Sequence, residues 1–94
     1  MTTITQINPL CSELVLQLRK IGKLESDPHK RASYMKAADV ILDNIDNFRQ
    51  LVVTDSFKTL PGIGDSINKK IKEFFLFGYI PKLKDMEQNE VTNI

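Results

Sequence analysis

The sequence predicts a single all-α domain, a compact bundle of four helices. Two observations lead to this prediction: apolar residues recur at three- and four-residue intervals in several segments, and Pro or Gly separates one segment from the next. No segment shows the apolar–polar alternation of a strand, and the Val52-Val53 pair is too short for a sheet. A chain of 94 residues is too short to build two cores, so we expect one domain.

The first two helices have clear beginnings in the sequence. Asn8-Pro9 predicts the start of the first, since Pro suits the first helical turn, and Gly22 predicts its end. Asp27-Pro28 predicts the start of the second, because Asp can cap a helix whose first residue is Pro. The expected core-facing residues are Leu10, Leu14, Leu18 and Ile21 in the first helix, and Tyr34, Ala37, Ala38, Ile41, Ile45 and Phe48 in the second.

The last two helices are predicted to follow one another closely. Thr54 is expected to cap a short third helix over residues 55–59, which Pro61-Gly62 ends. The fourth helix follows Gly64 and ends at Gly78, because glycine readily takes the left-handed conformation of a helix terminus. The expected core face of the fourth helix consists of Ile67, Ile71, Phe74 and Phe75.

The composition excludes several classes of protein. Hydrophobic residues make up 41% of the chain and charged residues 27%, as in soluble globular domains. No apolar run approaches the roughly 18–20 residues of a membrane span, and residues 1–10 lack the charged and apolar regions of a secretion signal. The single cysteine, Cys11, excludes a disulfide framework and a cysteine-based zinc site. We therefore expect an intracellular protein with no membrane partner, and a nuclear one if its source is a eukaryotic cell.

A formal net charge of +1 conceals a basic segment. Residues 55–84 contain six lysines against three acidic residues, whereas residues 85–94 contain three acidic residues and no base. We expect residues 85–94 to form an acidic tail or the start of a linker, and residues 1–7 to be flexible. A positive field confined to one segment favours a polyanionic partner.

The hairpin Leu60-Pro61-Gly62-Ile63-Gly64 is the most informative segment. Two glycines around one aliphatic residue allow a sharp turn in which the Ile enters the core and backbone amides face outward. Outward amides at the start of a helix bind phosphate, so both glycines are candidate phosphate contacts, and a Cβ at the second is expected to strain the turn. Carbonyl oxygens that are candidates to hold a Na⁺ or K⁺ ion belong to Lys58, Leu60 and Ile63. The alternative is a tight helix–helix turn without a ligand, but the basic surroundings favour phosphate binding.

Two blocks of residues resemble a known family. One is His29-Lys30-Arg31-Ala32-Ser33-Tyr34-Met35-Lys36-Ala37-Ala38, and the other is Lys58-Thr59-Leu60-Pro61-Gly62-Ile63-Gly64 with its continuation to Glu73-Phe74. From Asn8 to Leu83 the chain resembles the amino-terminal lyase domain of family X DNA polymerases, most closely those of the polymerase beta type. The hairpin alone is weakly specific, since many DNA repair proteins carry one. The upstream block at the matching distance makes the resemblance specific.

The resemblance implies both a fold and an activity. The fold is a four-helix domain over residues 8–84 with a helix-hairpin-helix motif at residues 55–78. The activity is 5′-deoxyribose-phosphate (AP) lysis in base excision repair, through a lysine Schiff base and β-elimination, with no cofactor required. The implied partners of this monomer are 5′-phosphorylated gaps, incised abasic sites and single-stranded template DNA. The chain has no carboxylate triad for two-metal nucleotidyl transfer, so it is not expected to polymerise DNA.

The nucleophilic lysine of the family corresponds to Lys70. At about 100° per residue, Lys70 lies roughly 80° from the centre of the apolar face, Lys72 roughly 120° from it and Lys69 nearly opposite it. Lys70 is therefore expected to be half desolvated, with Lys69 and Lys58 as charged neighbours. Burial and neighbouring ammonium groups both lower the pKa of a lysine and so favour the neutral amine that a Schiff base requires. The alternative is an ordinary flank lysine whose stem covers the core.

Five other site residues follow from the resemblance. Lys30 and Lys58 correspond to lysines that hold the 5′-phosphate, and Lys82 corresponds to a further lysine near the 5′ end. Tyr34 corresponds to a tyrosine beside the nucleophile, while the helical pattern makes it a core aromatic; the two roles are compatible. His29 corresponds to a histidine packed against a base, with an ordinary surface residue as the alternative.

Two positions depart from the family's pattern. Ser66 stands where the pattern has a phosphate-contacting lysine, so it can donate a hydrogen bond to the phosphate but supplies no charge. Lys69 stands where the pattern has an acidic residue, which removes a carboxylate and adds a positive charge beside Lys70. Neither change removes the amine.

Functions of different classes are compatible with these residues. The first is the lyase, and the second is a non-catalytic helix-hairpin-helix module that grips gapped or single-stranded DNA for a larger repair polymerase. Lys70 favours the lyase, since family members without lyase activity usually lack that lysine. A protein-interaction domain is a third alternative, but it does not explain the hairpin. Because the chain ends about where the family's domain gives way to a linker, we expect a polymerase domain to follow it in the natural protein.

Overall fold

The computed structural model describes the backbone of residues 2–92 and the side chains of residues 9–88. This part of the chain forms a small α-helical bundle without strands, so the predicted all-α class is confirmed. It contains five α-helices rather than four: α1 (Thr2–Leu24), α2 (Pro28–Asp43), α3 (Phe48–Thr54), α4 (Asp65–Phe77) and α5 (Pro81–Thr92). Two 3₁₀ turns, Ile45–Asn47 and Phe57–Thr59, flank α3.

Helix α1 extends beyond both of its predicted ends. It begins at Thr2, includes Pro9 and continues past Gly22 to Leu24. Gly22 does not end the helix but allows α1 and α2 to pack closely, because a Cβ there would lie 3.0 Å from Cε of Met35 in α2. The side chains of residues 1–8 lie outside the described part, so the flexibility expected for residues 1–7 stays a prediction.

Helix α2 begins as predicted but ends earlier. The Asp27 carboxylate accepts a hydrogen bond from the backbone N–H of His29 at 2.9 Å, and Pro28 is the first helical residue. The Asn44 side chain donates to the carbonyl of Val40 at 2.8 Å, where the helix stops. The apolar pattern that continues to Phe48 is therefore divided between two helices.

The prediction of a third helix over residues 55–59 is wrong. The Thr54 hydroxyl donates back to the carbonyl of Gln50 at 2.7 Å, so it closes α3 instead of capping a following helix. Asp55 then takes a left-handed backbone with φ of 53°, which ends α3. Only the 3₁₀ turn Phe57–Thr59 precedes the hairpin, where the expected motif has a short α-helix.

Helix α5 includes most of the segment expected to be an acidic tail or linker. Gly78 ends α4 in the left-handed conformation as predicted, with φ of 82°, but Pro81 begins a new helix. Ile80 and Leu83 are buried in the core. The Gln17 side chain of α1, only 7% exposed, accepts a hydrogen bond from the backbone N–H of Ile80 at 2.8 Å. This contact joins the start of α5 to α1.

One hydrophobic core connects the five helices. Its buried residues include Leu14, Leu18, Ile21, Tyr34, Ala37, Ala38, Ile41, Ile63, Ile67, Ile71 and Phe74. Ile63 enters the core as the hairpin pattern predicted, whereas Leu10, expected to face the core, is exposed. The rings of Phe48, Phe57 and Phe75 lie 5.6 to 6.1 Å apart and hold α3 and the 3₁₀ turn against α4. None of the helices in the described residues has the length and apolar character needed to cross a membrane.

We predict that Gln17→Leu destabilises the fold by about 1–3 kcal/mol, because it leaves the buried N–H of Ile80 without an acceptor. The free energy of unfolding in urea measures the effect. Gln50→Leu, on an exposed position of α3, is the matched control and should change stability by less than about 0.5 kcal/mol. Equal stabilities of the two variants would contradict the structural role of this hydrogen bond.

Candidate active site

A cavity of about 430 Å³ lies between α2, the hairpin, the start of α4 and the start of α5. Most of the site residues predicted from the sequence line it: His29, Lys30, Tyr34, Gly62, Gly64, Ser66, Lys70 and Lys82. Lys58 does not line the cavity but forms an ion pair with Asp65, which does. The fold therefore brings together residues that are distant in the chain, as the resemblance implied. Lys58 is the exception, because only its ion pair with Asp65 connects it to the cavity.

Lys70 is half-buried at the edge of the core face of α4, as helix geometry predicted. Its Nζ donates a hydrogen bond to Oγ of Ser66 at 3.0 Å and lies 3.5 Å from the backbone carbonyl of the same residue. The amine also lies 5.9 Å from the centroid of the Tyr34 ring. Lys69 and Lys72 are exposed, and Lys72 forms an ion pair with Asp55 at 3.3 Å, away from the cavity.

The surroundings of Lys70 favour its neutral form. Burial lowers the pKa of Lys70, and the positive charges of Lys82, Lys69 and Lys30 lower it further, while Glu73 opposes them. At a given pH the neutral fraction of this amine is therefore larger than that of an ordinary lysine.

The expectation that Lys58 is one of the cations acting on Lys70 is wrong. Lys58 is engaged with Asp65, and the hydrogen bond and charge of that carboxylate raise the pKa of Lys58. The same contact lowers the pKa of Asp65. Asp65, at the start of α4, therefore pairs with Lys58. Among the positive charges that lower the pKa of Lys70, that of Lys82 in α5 has the largest effect.

Tyr34 combines the two roles proposed for it. The residue is only 5% exposed and belongs to the core, and its ring also borders the amine of Lys70. Burial, followed by the negative charge of Glu25, raises the pKa of Tyr34 to about 12. Its hydroxyl is therefore protonated at neutral pH and is available as a hydrogen-bond donor.

The backbone of the hairpin has both hydrogen-bond donors and hydrogen-bond acceptors without a partner among the described residues. The N–H of Ile63 donates to the carbonyl of Leu60 at 3.1 Å, while the N–H groups from Gly64 to Ile67 have no protein acceptor among the described residues. These free donors suit a phosphate. The carbonyls of Lys58 and Ile63 accept no hydrogen bond in the same part of the chain, and such oxygens suit a monovalent cation. The described residues contain no cluster of three or more His, Cys, Asp or Glu side chains for another metal.

Glu25 is a charged neighbour of the cavity residue Lys82 that the sequence analysis did not identify. Glu25 follows α1 directly and is only 8% exposed. Its carboxylate lies 3.9 Å from Nζ of Lys82. Its backbone carbonyl accepts hydrogen bonds from the Arg31 guanidinium at 2.9 and 3.2 Å, which closes the connection between α1 and α2. No local pattern distinguishes Glu25 from a surface acid, because its charged partners, Arg31 and Lys82, lie in α2 and α5.

Comparisons of the chain with protein-family models, with curated proteins and with solved structures found no match.

The two hairpin glycines have different requirements. Gly62 has φ of 97°, a conformation that strains any side chain, and an added Cβ would lie 3.3 Å from Cε of Lys36. Gly64 has an extended backbone with φ of −90°, and an added Cβ would meet nothing within 4 Å. The expectation that a Cβ at Gly64 strains the turn is therefore wrong.

We predict that Gly62→Ser destabilises the protein by about 1–3 kcal/mol. Gly64→Ser should stay within about 0.5 kcal/mol of the parent protein or stabilise it, because Ser suits the residue before a helix. Thermal or urea unfolding of the matched pair measures the difference. Equal losses at the two positions would contradict the hairpin geometry.

Proposed function

We propose that this domain is a 5′-deoxyribose-phosphate (AP) lyase that binds gapped DNA and acts in base excision repair. The observation that carries the proposal is the setting of Lys70, a half-buried amine with a lowered pKa in a cavity that Lys30 and Lys82 also line. A neutral amine reacts with an aldehyde, and neighbouring cations attract a phosphate. The ring-opened sugar phosphate at an incised abasic site carries both of these groups.

The proposed reaction begins at the Lys70 amine. Nζ of Lys70 attacks C1′ of the open-chain sugar, and loss of water gives an imine. Removal of the C2′ proton then drives β-elimination, in which the bond between C3′ and the phosphate oxygen breaks. Hydrolysis of the imine releases the sugar phosphate and restores the amine. The ring of Tyr34, with its centroid 5.9 Å from the amine, would pack beside the adduct.

Several groups around the cavity are suited to hold the DNA. Lys30, Lys82 and the free N–H groups at the start of α4 would bind the 5′-phosphate, and Lys58 would join them on leaving Asp65. A Na⁺ or K⁺ ion at the hairpin carbonyls would add positive charge beside a second phosphate. His29 is exposed at the cavity edge, where an unpaired base of the template can stack on it. In this proposal a C-terminal polymerase domain fills the gap after the sugar phosphate has been removed.

The second candidate is a non-catalytic DNA-binding module of a larger repair polymerase. The hairpin favours it, because the free N–H groups from Gly64 to Ile67 can bind a phosphate without any contribution from Lys70. The two candidates differ in one respect only, which is whether a covalent adduct forms.

We predict that borohydride traps a covalent adduct between this protein and a 5′-incised abasic duplex, and that Lys70→Ala removes most of it. Lys72→Ala is the matched control, because this lysine lies on the same helix but pairs with Asp55 outside the cavity. The control should keep most of the trapping, and both variants should bind gapped DNA within a few-fold of the parent protein. Absence of any adduct from the parent protein would favour the non-catalytic module, and full trapping by Lys70→Ala would show that another amine is the nucleophile.

The rate of adduct formation should depend on pH in a defined direction. Because the pKa of Lys70 is lowered, the neutral amine becomes the major form at a lower pH than for an ordinary lysine. The single-turnover rate is therefore expected to rise with pH and to reach its plateau at a lower pH than for an ordinary lysine amine. A plateau at no lower pH than that of an ordinary lysine would contradict the lowered pKa.

Binding should depend on salt and on the 5′-phosphate. With about three lysine–phosphate contacts, the slope of log affinity against log salt concentration is expected to be about −2 to −3. Asp65→Asn should tighten binding of a 5′-phosphorylated gap by about three- to tenfold, since it frees Lys58 and removes a negative charge from the cavity. Asp85→Asn, an exposed position in α5, is the control and should change the affinity little. Equal affinity of the parent protein for blunt duplex and phosphorylated gap would contradict a phosphate pocket.

A further inference from the structure

The side chain of Ser66 is within hydrogen-bonding distance of the amine that the proposed reaction uses. Its Oγ lies 3.0 Å from Nζ of Lys70, and the two residues are four apart in α4, so they share one face of the helix. Both residues line the cavity. The hydroxyl has no other hydrogen-bond partner among the described residues.

The hydroxyl differs in chemistry from the other neighbours of the amine. The backbone carbonyl of Ser66, at 3.5 Å, can only accept a hydrogen bond, and the ring of Tyr34 offers its face to a cation. A hydroxyl can accept a hydrogen bond from the ammonium form of Lys70 and, after rotating, donate one to the lone pair of the neutral form. The contact between Ser66 and Lys70 can therefore persist in both protonation states.

We infer that Ser66 is a second catalytic residue, whose hydroxyl holds the Lys70 amine and relays a proton from it during addition to the aldehyde. The inference rests on the proposed lyase function. When Nζ attacks C1′, an N–C bond forms and the carbonyl electron pair moves to oxygen, which leaves an extra proton on nitrogen and a negative charge on oxygen. Ser66 Oγ accepts the proton from Nζ while its own proton passes to that oxygen. The product is a neutral carbinolamine, Ser66 is unchanged, and no further reactant is needed.

This role differs from the phosphate contact that the sequence suggested for Ser66. A phosphate contact contributes to binding, so its loss weakens the affinity for a 5′-phosphorylated end. A proton relay contributes to the covalent step, so its loss slows adduct formation at saturating protein without changing that affinity. The two roles can therefore be separated by measuring the rate and the affinity on the same DNA.

The test compares the single-turnover rate of borohydride-trapped adduct with the affinity for a 5′-phosphorylated gap. For Ser66→Ala we expect the rate to fall at least about tenfold and the affinity to stay within about twofold. Ser66→Thr retains a hydroxyl at the same position and should keep the rate within about threefold of the parent protein. Ser33→Ala is the matched control and should change neither quantity, since Ser33 lines the same cavity but its hydroxyl donates to the carbonyl of His29 at 3.0 Å.

Each other outcome overturns the inference in a distinguishable way. A parental rate in Ser66→Ala would leave the lyase intact and remove the relay. A lower affinity with an unchanged rate at saturation would make Ser66 a phosphate contact only. A parent protein that forms no adduct would overturn the lyase proposal and the relay together.

Discussion

The burial of Ile67, Ile71 and Phe74 in the core sets the rotation of α4 about its own axis. Because these side chains point into the core, the side chain of Lys70 lies at the boundary between core and solvent, beside the ring of Tyr34. Packing therefore holds an ammonium group where water is partly excluded, which makes its charged form less favourable. The reactivity proposed for Lys70 depends on this rotation, because a turn of α4 toward solvent would return the amine to water.

Two ion pairs limit the positive charge that surrounds the amine. Asp65 engages Lys58 at the hairpin, and the nearly buried carboxylate of Glu25 lies beside Lys82. In the proposed function, a phosphate in the cavity would compete with both carboxylates for these lysines. The free N–H groups at the start of α4 would contribute to binding without such competition.

The sequence predicted those features that depend on local patterns. The cap at Asp27, the left-handed exit at Gly78 and the half-buried position of Lys70 all follow from short-range spacing, and the structure contains each of them. The features that sequence reasoning missed depend on partners distant in the chain. The hydrogen bond from Ile80 to Gln17 spans most of the chain, and the contact of Glu25 with Lys82 joins the end of α1 to α5. Neither pairing leaves a periodic signal, so the sequence predicts an acidic tail or linker over residues 85–94 instead of a docked helix, and it does not single out Glu25.

The most direct test of the account is the pKa of the Lys70 amine itself, which NMR can follow through the pH dependence of the ¹³Cε resonances of all lysines. The account predicts that Lys70 titrates at a lower pH than an ordinary lysine. It also predicts that Lys82→Gln moves the titration of Lys70 back toward that of an ordinary lysine, because the substitution removes the strongest neighbouring positive charge. Titration of Lys70 in the range of an ordinary lysine would contradict the claim that the fold lowers the pKa of this amine.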